Sequence, residues 1–133
     1  PFLVAAARDH PLMKLKALTP EAVQAEKLLL LRDGHCMRDH ALSACGVHAP
    51  RHDDAFEATS LMTLVQMVDN GLGVTMLPEM AIEANILANT GITTRPLIAD
   101  HPSRSIALAW RRASPRGKEF ELLANVLREV TGR

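Results

Sequence analysis

Three observations predict an α/β fold, a sheet with helices on its faces. Short apolar segments of strand length recur along the chain, at 2–6, 27–31, 73–77, 93–98 and 105–110. Helix starts stand between or after them: Thr19 before Pro20, Ser60 before Leu61, and Pro115 ahead of the last segment. Hydrophobic residues make up 47% of the 133, enough for one compact domain with a real core, or for a piece of a larger one.

In order, Phe2 to Ala6 predicts a buried strand that the cluster Asp9-His10-Pro11 ends. Thr19 caps a helix with Pro20 in its first turn. Lys27 to Leu31 is too short for a helix and predicts a second buried strand, and Arg32-Asp33-Gly34 turns the chain. A helix follows from Met37, with Met37, Ala41, Ala44 and Cys45 on one apolar face and Gly46 at its end. Ala55 to Ala58 predicts a strand. Ser60 then caps a helix to about Asn70, whose buried stripe is Leu61, Leu64, Val65 and Val68. A strand over Gly73 to Leu77 and a helix over Glu79 to Ala84 come next, then strands at Thr93 to Ile98 and Ser105 to Trp110. The last helix turns Phe120, Leu123, Val126, Leu127 and Val130 inward.

Fifteen Lys and Arg balance fifteen Asp and Glu, so no basic stripe is available to grip nucleic acid by itself. The apolar runs are too short to span a membrane, and no secretory pattern opens the chain. It begins with Pro1, which predicts a piece cut from a longer polypeptide. Two cysteines without a disulfide-rich composition fit a reducing, cytoplasmic compartment. No Ser-His-Asp order, phosphate loop or carboxylate pair marks an enzyme, and the sequence calls for no cofactor and no resident metal.

The chemistry gathers at Cys36 and Cys45. Cys36 lies at the expected helix start, where free amides and the helix dipole favour a thiolate. His35 can donate a hydrogen bond to it and Arg38 can supply a fixed positive charge. Asp39 is expected to be occupied holding Arg38 or His35. On a regular helix, nine residues at about 1.5 Å rise put the two cysteine Cα atoms roughly 13 Å apart. A disulfide needs about 7 Å, so the pair can bridge only if the segment is rebuilt. Two other readings stand beside this one. His35, Cys36, His40, Cys45, His48 and His52 lie within eighteen residues and could suggest zinc, although no close Cys-x-x-Cys pair is present. Thr59 and Ser60, at a helix N-terminus, could instead hold a small organic carboxylate.

The run Gly34-His35-Cys36-Met37-Arg38-Asp39, with Cys45 after eight intervening residues, resembles the sensing loop of the OxyR family, the LysR-type peroxide-responsive transcription regulators. The resemblance continues through Phe56-Glu57-Ala58-Thr59-Ser60-Leu61, Gly71 to Pro78, Arg104 to Leu108 and Ser114-Pro115, essentially the whole chain. It implies a periplasmic-binding-protein-like effector domain of two Rossmann-like subdomains, N-terminally truncated here. Residues from about 4 to 103 would form most of the second subdomain, and 104–133 would return to the first. The family's winged helix-turn-helix would lie outside this chain. The resemblance makes Cys36 the peroxidatic and Cys45 the resolving cysteine of a redox-active disulfide. His35, Arg38, Asp39 and Arg104 become neighbours of the reactive thiol. The partners implied are hydrogen peroxide, a second copy in a dimer or tetramer, a thiol reductant such as glutaredoxin, and DNA and RNA polymerase through the full-length protein only.

Overall fold

The computed structural model describes residues 1–32, 36–46, 57–98, 103 and 105–131. The first strand, β1 (Phe2–Ala7), runs through the centre of a three-stranded sheet. It pairs antiparallel with β4 (Thr75–Pro78), Val4 opposite Met76, and with β5 (Ile92–Pro96), Ala5 opposite Thr94. A two-residue parallel ladder joins β2 (Leu30–Leu31) to β3 (Glu57–Ala58), Leu30 opposite Glu57. An isolated parallel bridge between Leu28 and Val74 ties the two sheets together.

Helices occupy both faces of this framework, and three of them start on a side-chain cap. The cluster after β1 does more than end the strand: His10 Nδ1 accepts from the Leu12 amide at 3.3 Å and caps a short helix, α1 (Pro11–Lys14). Thr19 Oγ1 likewise accepts from Ala22 at the start of α2 (Pro20–Gln24). Next comes α3 (Cys36–Ala44), after which Gly46 takes a φ of +67°. Ser60 Oγ accepts from the Thr63 amide at 3.1 Å to open α4 (Leu61–Asp69). The short α5 (Glu79–Glu83) follows β4.

The apolar patterns sort into two clusters. One face gathers Phe2, Val4, Ala6, Leu18, Val23, Leu30, Ala41, Leu42, Cys45, Val74 and Met76 beneath α2 and α3. The other gathers Ala5, Leu29, Leu31, Ala58, Leu64, Val65, Val68 and Leu77 beneath α4. Successive residues of β1 serve opposite clusters, as a pleated strand requires. Buried Thr75 is satisfied by donating to the Leu29 carbonyl at 2.8 Å, a further tie between β4 and the β2 segment.

Two expectations for the C-terminal part change. Residues 105–110 form no ladder with a described strand, and Ile106, Leu108 and Trp110 are 64%, 39% and 39% exposed. Strand propensity alone makes no strand, because a ladder needs a partner strand. The final helix, α6 (Gly117–Thr131), forms as the pattern predicts, but its apolar residues do not face inward. Leu123, Val126, Leu127 and Val130 are exposed, Val130 by 79%. Periodicity establishes an apolar stripe, and the stripe here lacks a cover among the described residues. Within this segment the rings of Trp110 and Phe120 meet at 5.7 Å, tilted by 39°, and Arg116 lies over the Phe120 ring.

Candidate functional site

The site is built on α3 and on the strands that enter and leave its segment. Helix α3 begins at Cys36, which places the backbone of that residue at the end where free amides and the macrodipole favour negative charge. Cys45 follows the last helical residue and donates its amide to Ala41 at 3.1 Å. The nine intervening helical steps therefore keep the two Cα atoms roughly 13 Å apart, well beyond disulfide reach.

Cys45 is a free thiol with no exposure, held in the core beneath α3. Its Sγ donates to the Met76 thioether at 3.5 Å, and Gln24 Nε2 on α2 donates to its carbonyl. The apolar face predicted for this helix is thus the packed one: Met37, Ala41, Ala44 and Cys45 all join the cluster. Burial pushes the Cys45 thiol up to about 11. A folded value above that of the free thiol means the proton is bound more tightly in the native state. This contribution to stability is therefore complete below about pH 9 and is lost as pH rises through 11. The loss should be on the order of 2 kcal/mol. Urea denaturation between pH 8 and 11, compared with Cys45→Ala, should show it as a steeper decline for the native chain.

Arg38, at the third position of α3, turns inward and is 8% exposed. Its Nη1 donates to Glu57 Oε1 at 2.6 Å and to the Leu31 carbonyl at 3.2 Å. One guanidinium nitrogen therefore spans β2, which leads into the α3 segment, and β3, which leaves it. Asp39 is exposed on the next position around the helix, and Glu57 is a carboxylate that holds Arg38. His35, the other partner considered for Asp39, lies outside the described residues, as does Arg104. Sequence reasoning missed Glu57 because it is nineteen positions from Arg38 and is brought there only by the β2–β3 ladder.

His40 packs its ring against Phe2 at 5.9 Å, and its buried Nδ1 has no hydrogen-bond partner among the described residues. Of the six residues considered for zinc, only His40 and Cys45 have described side chains, and among the described residues no three His, Cys, Asp or Glu converge. Ser60 is occupied as a helix cap, with its Oγ also 2.9 Å from Thr63 Oγ1. Among the described residues no helix is long and apolar enough to cross a membrane.

Comparison with known proteins places this arrangement. The chain matches the LysR substrate binding domain over residues 1–132. It is 38% identical over 128 residues to the DNA-binding transcriptional dual regulator OxyR of Escherichia coli, covering 96% of this chain and 42% of that protein. It is also 38% identical over 122 residues to the HTH-type transcriptional regulator EstR of Acinetobacter baylyi, covering 92% of this chain and 40% of that protein. The chain thus spans about two-fifths of the length of these relatives. Among solved structures, the reduced form of the OxyR2 regulatory domain from Vibrio vulnificus superposes with a TM-score of 0.84 at 37% identity, covering 97% of this chain and 61% of that one. The reduced form of OxyR superposes at 0.81 and 38%, covering 97% and 59%. The two sequence relatives are named as transcriptional regulators. With the mixed helix and strand framework and its match over nearly every residue, the chain belongs to the LysR substrate-binding domain family, in which its fold is that of the OxyR regulatory domains.

Proposed function

We propose that this chain is the sensing part of a peroxide-responsive LysR-type transcription activator, and that Cys36 and Cys45 are its switch. Cys36 thiolate attacks hydrogen peroxide, breaking the O–O bond to give Cys36 sulfenic acid, and hydroxide leaves to become water. The Cys45 thiol then attacks the sulfenic sulfur, forming the disulfide and releasing a second water. The observation that carries this reading is the pair of positions: one cysteine opens α3, and a free, buried thiol follows its other end. Such a pair can join only by rebuilding the helix between them, so oxidation becomes a change of shape. The order of events follows from burial, because a protonated thiol in the core has to leave Met76 before it can act as nucleophile.

Around Cys36, Arg38 supplies fixed positive charge close to the helix start, and His35 and Arg104 are assigned as neighbours that hold the thiolate. Asp39, exposed on the first turn, is assigned the role of holding Arg38 or His35. The exposed apolar residues of 105–131 support the assignment of this segment to the first subdomain, with about 4–103 in the second. The regulatory-domain structures it matches are longer than the matched part, and a segment of that kind is assigned here as the cover for the stripe on α6. In the whole protein, a dimer or tetramer carries the change to DNA and RNA polymerase, and a thiol reductant such as glutaredoxin resets the disulfide in the cytoplasm.

Trapping the first intermediate tests the reading. Brief exposure of the reduced chain to micromolar peroxide with dimedone should place the adduct on Cys36 and none on Cys45. No adduct on Cys36, with no disulfide formed, would remove the peroxidatic role and leave ligand sensing between subdomains as the function of this fold.

A further inference from the structure

We propose that Glu57 is a positioning residue for this switch: through Arg38 it holds the first turn of α3 in the reduced arrangement and so opposes disulfide formation. The inference rests on the disulfide reading above and adds to it the residue that sets the poise.

Glu57 belongs to β3, beside Leu30 in the parallel ladder, and its side chain is 32% exposed. Arg38 comes two residues after Cys36, and its side chain is 9% exposed where it meets the carboxylate at 2.6 Å. The same Nη1 reaches the Leu31 carbonyl, so the contact fixes the helix start to both strands at once. A charge-assisted hydrogen bond in this partly desolvated place contributes more than an exposed surface pair. It is also local to the element that has to change. Closing roughly 13 Å to about 7 Å across nine residues consumes more than a turn of α3. Cys45, at the other end, is anchored by the core and by Gln24. The turn carrying Cys36 and Arg38 is at the helix start, where this ion pair ties it to β3. Moving that turn withdraws Arg38 from Glu57, and the free energy of the contact is then lost on oxidation alone.

The test is an equilibrium one. In glutathione buffers the two protein thiols reduce glutathione disulfide: the Cys36–Cys45 bond forms, the glutathione S–S bond breaks, and two electrons and two protons pass to give two glutathione thiols. Glu57→Gln keeps the shape and removes the charge. At a fixed buffer its oxidised-to-reduced ratio should be about tenfold that of the unmodified chain, which for two electrons is a potential about 30 mV more negative. Its thermal midpoint should fall in the reduced form and stay unchanged in the oxidised form. Should Glu57→Gln fold poorly, Glu57→Asp should shift the ratio in the same direction by less. An unchanged ratio, or equal destabilisation of both forms, overturns the proposal and makes Arg38–Glu57 an ordinary structural pair. Failure of the unmodified chain to form the disulfide in any buffer would instead sink the switch itself, and this inference with it.

Discussion

Replacing Cys45 with serine is expected to abolish the peroxide-driven remodelling of α3 while leaving oxidation of Cys36 intact. The substitution exchanges one sulfur for oxygen at a position with no exposure, and the new hydroxyl faces the thioether of Met76, a weak acceptor. Its stability cost should be about 1–3 kcal/mol. Cys45→Ala, which buries no hydroxyl, separates that cost from the loss of chemistry. In the unmodified chain, hydrogen exchange over 36–45 should accelerate after peroxide, because the helical amides must open for the bridge to form. In both variants the protection should persist and the sulfenic acid should accumulate. If Cys45→Ser loses as much protection as the unmodified chain, the sulfenic acid alone is the signal and the bridge is dispensable.

The largest structural effect is expected at Gly73. A Cβ there would lie 2.3 Å from the Lys27 carbonyl oxygen and 3.1 Å from Leu29 Cγ. That carbonyl cannot move aside cheaply, because it accepts from the Val74 amide at 3.0 Å while Leu29 donates to the Val74 carbonyl at 2.8 Å. These two hydrogen bonds flank the bridge that joins the β2 segment to β4. Gly73→Ala should therefore cost about 3 kcal/mol, lowering the thermal midpoint by roughly 10 °C. Gly71→Ala is the control. Its φ of +72° strains any side chain, but no atom lies within 4 Å of the added Cβ, so the loss should stay near 1 kcal/mol. Thermal denaturation of the two variants side by side checks the difference, and equal midpoints would show that the bridge yields.

What was legible in the sequence was what local chemistry decides. Helix α4 follows from Ser60 as cap and from the spacing of Leu64, Val65 and Val68, all of which are buried. The same holds for Thr19 and Pro20 at α2, and for the apolar face that puts Cys45 in the core. Strand boundaries were less legible because ladder partners define them: Lys27 to Leu31 supplies two paired residues and one bridge, and Ser105 to Trp110 supplies none among those described. The stripe on α6 was visible, but its partner was not, since periodicity carries no information about what covers it. The carboxylate opposite Arg38 was out of reach for a similar reason. Asp39 is adjacent in sequence and so suggests itself first, whereas Glu57 is distant and delivered by the sheet.

The most direct measurement is the intact mass and peptide map of the reduced chain after brief exposure to micromolar hydrogen peroxide. A loss of two hydrogens, mapped to a single link between Cys36 and Cys45, is the predicted result and makes the rebuilding of α3 obligatory. Two free thiols after that exposure would contradict the account, because the buried thiol of Cys45 would then be core and nothing more.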